Sequence, residues 1–268
     1  GRMRDKVGLL LPMIIIAVAE AFYFDGSVES CLGLHALNIF ACILLPIWAE
    51  KRMLLYQSFA LVSLLRVLNI GMPVFFTETL LWMPFVYAPI ILAGYIVWRQ
   101  TVVDADKLHS RNLVRFLNGH GLRPEVKWKW EYLLIAIIFG YLVANLEHFV
   151  LGNSALVQDL GPLDLGKLFL GMVVFVGFGE ELIFRGLLQS SVDKQYGKHV
   201  SIAVSALMFS IMHSGYHSVP YLIFVLGVGL VLAYAYQRTG CLGLVALMHG
   251  ILNFFLFSFL PFGYGLLP

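Results

Sequence analysis

Residues 167–192 read KLFLGMVVFVGFGEELIFRGLLQSSV, an apolar stretch long enough to cross a bilayer as one helix. Its middle contains GEELIFRG, which places Glu180, Glu181 and Arg185 at the centre of the predicted span. Each charged group at that depth costs about 2.5–3.5 kcal/mol if it faces lipid. We therefore expect these side chains to face other helices, water or one another, which requires that the span lie inside a helix bundle.

The composition of the whole chain indicates a membrane protein. Of its 268 residues, 60% are hydrophobic and 13% are charged, whereas a soluble domain carries about 25% charged residues. The three cysteines have no CxxC spacing, so we expect no thiolate metal site. The predicted fold class is all-α, a polytopic transmembrane helix bundle in a lipid bilayer, and we expect no nucleic-acid partner.

Apolar runs of roughly 20 residues divide the chain into about eight to nine predicted spans. The runs cover residues 7–24, 32–49, 53–71, 75–98, 131–151, 167–192, 199–213, 219–237 and 242–260. This map predicts N-terminal transmembrane helices at 1–98, a basic amphipathic linker at 99–130 and a C-terminal transmembrane core at 131–268. In the linker, Leu113, Phe116 and Leu117 share a helix face, which predicts a helix on the inner membrane surface; a solvated connector is the alternative.

The basic residues predict the orientation of the spans. Of the 18 Lys and Arg residues, all but Arg66, Lys167 and Arg185 fall in segments that lie inside if the N-terminus is inside. Because cytoplasmic loops carry an excess of Lys and Arg, we predict an integral, multi-pass membrane protein with a cytoplasmic N-terminus. We also expect water to reach the buried charges from this inner side. The basic residues of the predicted inner mouth are Lys194, Lys198 and Arg238.

Helix geometry separates the two adjacent glutamates. Glu181 and Arg185 are four residues apart, so they share a face and can form an ion pair. Glu180 is rotated by about 100° from Glu181 and has no such partner in its own helix. A buried ion pair that fixes helix register explains Glu181 and Arg185 but leaves Glu180 unexplained. A carboxylate in this position is a candidate general base.

Two later spans carry further polar groups. The seventh ends with FSIMH at residues 209–213, and the ninth contains HGILN at residues 249–253. His249 and Asn253 project from one face of an apolar helix. The structural alternative for them is hydrogen bonding between helices, worth about 0.6–2 kcal/mol. His217, one turn after His213, is more simply a capping residue. Polar groups on three successive spans favour a buried site.

These side chains suit hydrolysis by an activated water molecule. Glu180, assisted by His213, can take a proton from water that attacks a peptide carbonyl. His249 and Asn253 can donate hydrogen bonds to the developing oxyanion, each worth roughly 3–4 kcal/mol. A dyad of Ser210 with His213 is the serine-type alternative, which we rank below the glutamate.

The motifs EExxxR at 180–185, FxxxH at 209–213 and HxxxN at 249–253 resemble those of the CAAX-protease and bacteriocin-processing family. That family includes the Ras-converting CAAX endopeptidases and the Abi-type proteins, and the resemblance covers about residues 167–260. It implies a glutamate-dependent intramembrane endopeptidase that needs no metal and no other cofactor. Its substrates would be membrane-associated peptides or lipidated proteins, prenylated CAAX proteins among them.

The resemblance also implies a role for each motif residue. Glu180 and His213 would be the water-activating pair, and His249 with Asn253 would form the oxyanion hole. The motifs contain two residues for structural support, Glu181 and Arg185, and two candidates for the substrate pocket, Phe184 and Phe209.

Three alternatives stay open. A metalloprotease would use Glu180, His213 and His249 as ligands, although the chain has no HExxH motif. A transporter would use buried carboxylates and histidines as a proton relay. However, only Arg66 and Glu78 are comparable polar groups in the first half of the chain, and the two halves show no matching broken helices. A catalytically idle scaffold or immunity protein is the third alternative.

Overall fold

The computed structural model describes residues 2–47, 52–72, 79–103 and 128–267. Within these ranges the chain forms nine helices, joined by turns and short 3₁₀ segments, and no strand, so the all-α prediction is confirmed. The helices are α1 (Arg2–Phe24), α2 (Val28–Leu44), α3 (Met53–Ile70), α4 (Trp82–Val103), α5 (Glu131–Leu151), α6 (162–196), α7 (Lys198–Ile211), α8 (Val219–Thr239) and α9 (Leu242–Phe257).

Several of these helices have the length and composition of membrane spans. Of the described part of the chain, five stretches are long and apolar enough to cross a bilayer, and a shorter apolar helix covers Gly8–Phe24. The five stretches are Val28–Ile47, Met53–Ile70, Glu131–Leu151, Val219–Thr239 and Leu242–Phe262. A multi-pass membrane bundle is therefore supported, whereas the count of eight to nine spans and the side of the N-terminus stay predictions.

Several helices extend beyond the predicted spans, among them α1 and α2, which begin at Arg2 and Val28. α4 begins at Trp82 and continues to Val103, past the predicted end at residue 98. α6 begins earlier than predicted, at Pro162, because a proline in the first helical turn has no N–H that needs a partner. The surface helix predicted around Leu113, Phe116 and Leu117 lies outside the described residues.

α6 is not a uniform α-helix. Its turns are π-helical at Gly171–Gly177 and at Leu182–Gln189, and a single α-helical turn at Phe178–Glu181 separates these two segments. π-helical turns are rare and occur frequently at functional sites. The Glu180–Glu181 pair lies in the α-helical turn between these two π-helical segments.

α6 and α9 cross at very short range. A Cβ atom built on Gly177 would lie 2.8 Å from the Gly250 Cα atom, and one built on Gly250 would lie 2.6 Å from the Val173 Cα atom. Only glycine at both positions allows the two backbones to approach this closely. The crossing brings His249, the residue before Gly250, beside the glutamates of α6.

A second group of buried polar side chains joins α1, α2 and α3. Arg66 donates hydrogen bonds to both carboxylate oxygens of Glu20, each at 2.9 Å. His35 Nε2 lies 2.8 Å from Glu20 Oε1, and its Nδ1 lies 2.9 Å from Ser63 Oγ. The sequence pattern singles out only Arg66 and Glu78 in this half. That expectation is incomplete, because Glu20 and His35 are buried there as well, while Glu78 lies outside the described residues.

Candidate active site

Glu181 is the centre of a fully buried ionic group. Its Oε1 accepts a 2.9 Å hydrogen bond from Arg185 Nη1, as the four-residue spacing predicts, and a 2.8 Å bond from His249 Nδ1. Arg185 also donates from Nη2 to the Gly229 carbonyl at 3.0 Å, and its guanidinium lies 4.4 Å from the centre of the Phe209 ring. One carboxylate thus links α6 to α9, and its arginine partner links α6 to α8.

Glu180 has partners that come from other helices. Tyr87 on α4 donates a 2.5 Å hydrogen bond to Glu180 Oε1, and His249 Nε2 lies 3.7 Å from Oε2. The prediction that Glu180 lacks a partner holds only for its own helix. Oε2 makes no hydrogen bond to any part of the chain that the structure describes. A buried acceptor without a hydrogen bond requires an explanation, and a catalytic role is one.

His213 lies just beyond the C-terminal end of α7, on the short connection to α8. Its Nδ1 lies 2.8 Å from the carbonyl oxygen of Phe209, which can only accept, so Nδ1 carries the proton. In the neutral ring, Nε2 is then the nitrogen able to accept a proton. The Phe209 ring separates the two histidines, with centroid distances of 4.8 Å to His213 and 5.4 Å to His249.

A cavity of about 430 Å³ is lined by groups from several helices. It is lined by the four predicted catalytic residues and both predicted pocket residues, which are Glu180, His213, His249, Asn253, Phe184 and Phe209. Glu181 and Arg185 are fully buried behind it. Asn253 makes no hydrogen bond within the described ranges, so its carboxamide is available for a ligand.

The family model for type II CAAX prenyl endopeptidases, Rce1-like, matches residues 162–255, which are 94 of the 268 residues of the chain. No curated protein matches the chain, and no solved structure does. The match runs from the start of α6 into α9 and contains all three motifs. Together with the apolar helices, it supports a CAAX-type intramembrane protease, a hydrolase, in general terms.

The cavity contains a carboxylate that the sequence pattern does not single out. Glu147 on α5 is buried, lines the cavity, and accepts a 2.6 Å hydrogen bond from the Tyr221 hydroxyl. In the sequence, Glu147 is a single carboxylate near the end of an apolar span. Such a position is typical of a residue at the membrane interface. The sequence does not mark Tyr87 as a functional residue, because single tyrosines are common in apolar helices. Tyr87 and Glu147 lie outside the motifs, and both precede residue 162, where the matched range begins.

The basic residues predicted to surround the inner mouth do not border this cavity, so the side from which water enters stays a prediction. Lys194 lies in the last turns of α6 and Lys198 begins α7, whereas the cavity is lined by residues between 172 and 184 of α6 and by the end of α7. None of the three basic residues, Lys194, Lys198 and Arg238, lines it. The cavity lies toward the opposite end of these helices, beside the 212–216 connection.

Two alternative chemistries gain no support from the geometry of the described residues. The Ser210 hydroxyl donates a 2.7 Å hydrogen bond to the Leu222 carbonyl, so it is not paired with His213. Among the described residues, the group whose possible metal-ligand atoms converge within 4.8 Å is Glu20, Cys31 and His35, none of which belongs to a motif. A cation there would have to displace Arg66 from Glu20, so these residues do not fit a metal ion.

Proposed function

We propose that this protein is an intramembrane endopeptidase that hydrolyses a peptide bond of a membrane-associated substrate with water activated by Glu180 and His213. The observation that supports this most directly is that both side chains line one cavity. Each has one acceptor atom that makes no hydrogen bond within the described residues. That atom is Oε2 in Glu180 and Nε2 in His213. His249 and Asn253 line the same cavity.

In the proposed reaction, Glu180 and His213 together accept a proton from water as its oxygen attacks the carbonyl carbon of the peptide. The new C–O bond forms while the carbonyl π electrons move onto the carbonyl oxygen, which gives a tetrahedral oxyanion. When the oxyanion collapses, the C–N bond breaks and the proton passes to the leaving nitrogen. The products are a carboxyl group and an amine, and no bond to the enzyme forms.

The oxyanion would be stabilised by His249 and Asn253, each donor contributing roughly 3–4 kcal/mol. His249 already donates from Nδ1 to Glu181. Its Nε2 can therefore donate to an oxyanion only when the ring carries both protons. Glu181 at 2.8 Å and Glu180 at 3.7 Å favour that charged form, because both are carboxylates. Glu181 and Arg185 thus act as structural support for His249.

The proposed substrate class follows from the family and from the cavity. The Rce1-like description names CAAX prenyl endopeptidases, which suggests a prenylated peptide cut before its last three residues. Much of the cavity is apolar, with Met172, Val176, Phe184 and Val225 along its wall. Such a wall suits a hydrocarbon chain or apolar side chains. The catalytic core is proposed to be residues 131–268, with Tyr87 contributed by α4.

The test uses the full-length protein reconstituted in liposomes and an internally quenched, farnesylated peptide that ends in a CAAX sequence. We expect cleavage by the wild type and at least a 100-fold loss in Glu180→Gln and in His213→Ala, with both variants folded. Activity should survive EDTA. Activity lost to EDTA and restored by zinc would instead support the metalloprotease, and cleavage by Glu180→Gln at the wild-type rate would refute the glutamate mechanism.

A further inference from the structure

The backbone on both sides of His213 is held by the N-terminal helices. Arg66 Nη2 donates a 2.6 Å hydrogen bond to the carbonyl of Met212, the residue before the histidine. The hydroxyl of Ser214, the residue after it, donates to Glu20 Oε2. Both contacts come from the buried ion pair of Glu20 on α1 with Arg66 on α3.

We propose that the Glu20–Arg66 pair positions His213, by fixing the Met212 carbonyl and the Ser214 hydroxyl so that the imidazole stays in the cavity. This inference rests on the proposed role of His213 in activating water. It assigns a function to α1 and α3, which precede the Rce1-like match at residue 162. The two residues act through the backbone of the connection and not on the substrate.

The connection needs such support because it is not helical at His213. α7 ends at Ile211, and His213 has φ −97° and ψ 14°. Irregular connections are more mobile than helices unless other groups fix them. A misplacement of about 1 Å in a catalytic group can cost about 100-fold in rate. A histidine on such a connection therefore depends on its tertiary contacts.

Further contacts with the end of α1 fix the same connection. His217 Nδ1 lies 2.6 Å from the carbonyl oxygen of Phe24, and His217 has a positive φ of 53°. The Tyr23 ring packs against Gly215 so closely that a Cβ atom there would lie 2.8 Å from the ring. The Tyr23 ring also lies under the Arg66 guanidinium, 4.3 Å from its central carbon. The end of α1 thus contacts the connection at two residues beyond those held by the ion pair, Gly215 and His217.

Arg66 has few donors left for a substrate, although it borders the cavity. Nε and Nη2 bind Glu20, Nη2 also binds the Met212 carbonyl, and Nη1 donates to Asn69 Oδ1 at 2.9 Å. Its side chain is 7% exposed. The planar guanidinium holds several acceptors in one fixed arrangement, which a lysine ammonium cannot reproduce. We therefore expect Arg66 to affect turnover and not substrate binding.

The test compares five variants of the full-length protein with the quenched, farnesylated CAAX peptide. They are Arg66→Met, Arg66→Lys, the charge-matched Glu20→Gln/Arg66→Met, Ser214→Ala and, as control, Ser63→Ala. The double variant is needed because Arg66→Met alone leaves Glu20 buried without its counter-charge. Ser63 belongs to the same network through His35 and Asn38 but does not contact the connection.

We expect kcat to fall about 100-fold in both Arg66→Met variants and by a smaller factor in Ser214→Ala, with KM unchanged. Ser63→Ala should keep its kcat even if its melting temperature falls. Arg66→Lys should restore part of the lost kcat. Hydrogen exchange of the amides at residues 212–217 should speed up in the Arg66 and Ser214 variants and not in Ser63→Ala, independently of any cleavage.

Other results would overturn the positioning role. A raised KM with normal kcat would make Arg66 a substrate ligand, and an equal loss of kcat in Ser63→Ala would make the network purely structural. If the Arg66 and Ser214 variants fold and show normal kcat and normal hydrogen exchange, the Glu20–Arg66 pair does not position His213. If Glu180→Gln cleaves as fast as the wild type, the proposed function itself fails, and the role of Arg66 in catalysis fails with it.

Discussion

The Tyr87 hydroxyl donates a 2.5 Å hydrogen bond to Oε1 of Glu180, although the two residues are 93 positions apart in the chain. The bond occupies one carboxylate oxygen. The other, Oε2, makes no hydrogen bond within the part of the chain that the structure describes. A fixed carboxylate with one vacant acceptor is the geometry that a general base needs. The proposed base is therefore oriented by α4, a helix outside the Rce1-like match.

Tyr87→Phe tests this orientation, because it removes the hydroxyl and keeps the ring. A hydrogen bond to a charged group contributes about 1.5–3 kcal/mol, so we expect kcat to fall about 10- to 100-fold with little change in KM. The matched control is Tyr141→Phe, which removes a hydroxyl bonded to the Tyr264 carbonyl away from the cavity. An unchanged kcat in folded Tyr87→Phe would show that Glu180 does not depend on this bond.

Glu181→Gln should reduce stability more than Glu180→Gln. The change leaves Arg185 fully buried without its counter-charge, and breaking such a pair costs about 3–5 kcal/mol. Unfolding in detergent micelles, followed by circular dichroism, measures the difference. Pairing Glu181→Gln with Arg185→Met should recover much of the lost stability. A Glu181→Gln protein as stable as the wild type would show that the ion pair contributes little.

Gly177→Ala should separate α6 from α9. The added methyl group would lie 2.8 Å from the Ala246 carbonyl oxygen and from the Gly250 backbone, and overpacking of this kind costs about 1–3 kcal/mol. Because His249 would move away from Glu180 and Glu181, activity should fall together with the melting temperature. Gly227→Ala on α8 is the control, since a Cβ atom there meets nothing within 4 Å. Equal effects of the two changes would contradict the close crossing.

The orientation in the membrane can be measured with single cysteines. Ser154 lies at the cavity end of the bundle, between α5 and α6, and Lys194 lies at the other end; both are exposed, while the three native cysteines are buried. From the Lys and Arg distribution we expect a membrane-impermeant maleimide to label Ser154→Cys in intact cells, and Lys194→Cys only in inverted vesicles.

The reverse labelling pattern would place the cavity on the cytoplasmic side, where a CAAX protein made in the cytoplasm could reach it. The expected pattern would instead favour a substrate segment presented from the non-cytoplasmic side. The charge-based orientation and a prenylated substrate made in the cytoplasm therefore predict opposite labelling patterns, and this measurement decides between them.

The parts of the fold that depend on local sequence could be predicted. Hydropathy is a property of each segment by itself, so the nine helices of the described residues follow the nine apolar runs, although α6 extends beyond its run at both ends. The ion pair of Glu181 with Arg185 is confirmed because residues four apart share a helix face whatever surrounds them. The motifs could be recognised because each lies within five or six consecutive residues.

The sequence by itself thus determined an all-α membrane protein and the helices that carry the candidate catalytic groups. Only the tertiary structure decided that Tyr87 meets Glu180, that Glu147 enters the cavity, and that Glu20 with Arg66 holds the connection at His213. It also decided at which end of the bundle the cavity lies. The physical reason is that contacts between helices depend on the rotation and depth of each helix in the bundle, which local patterns do not specify.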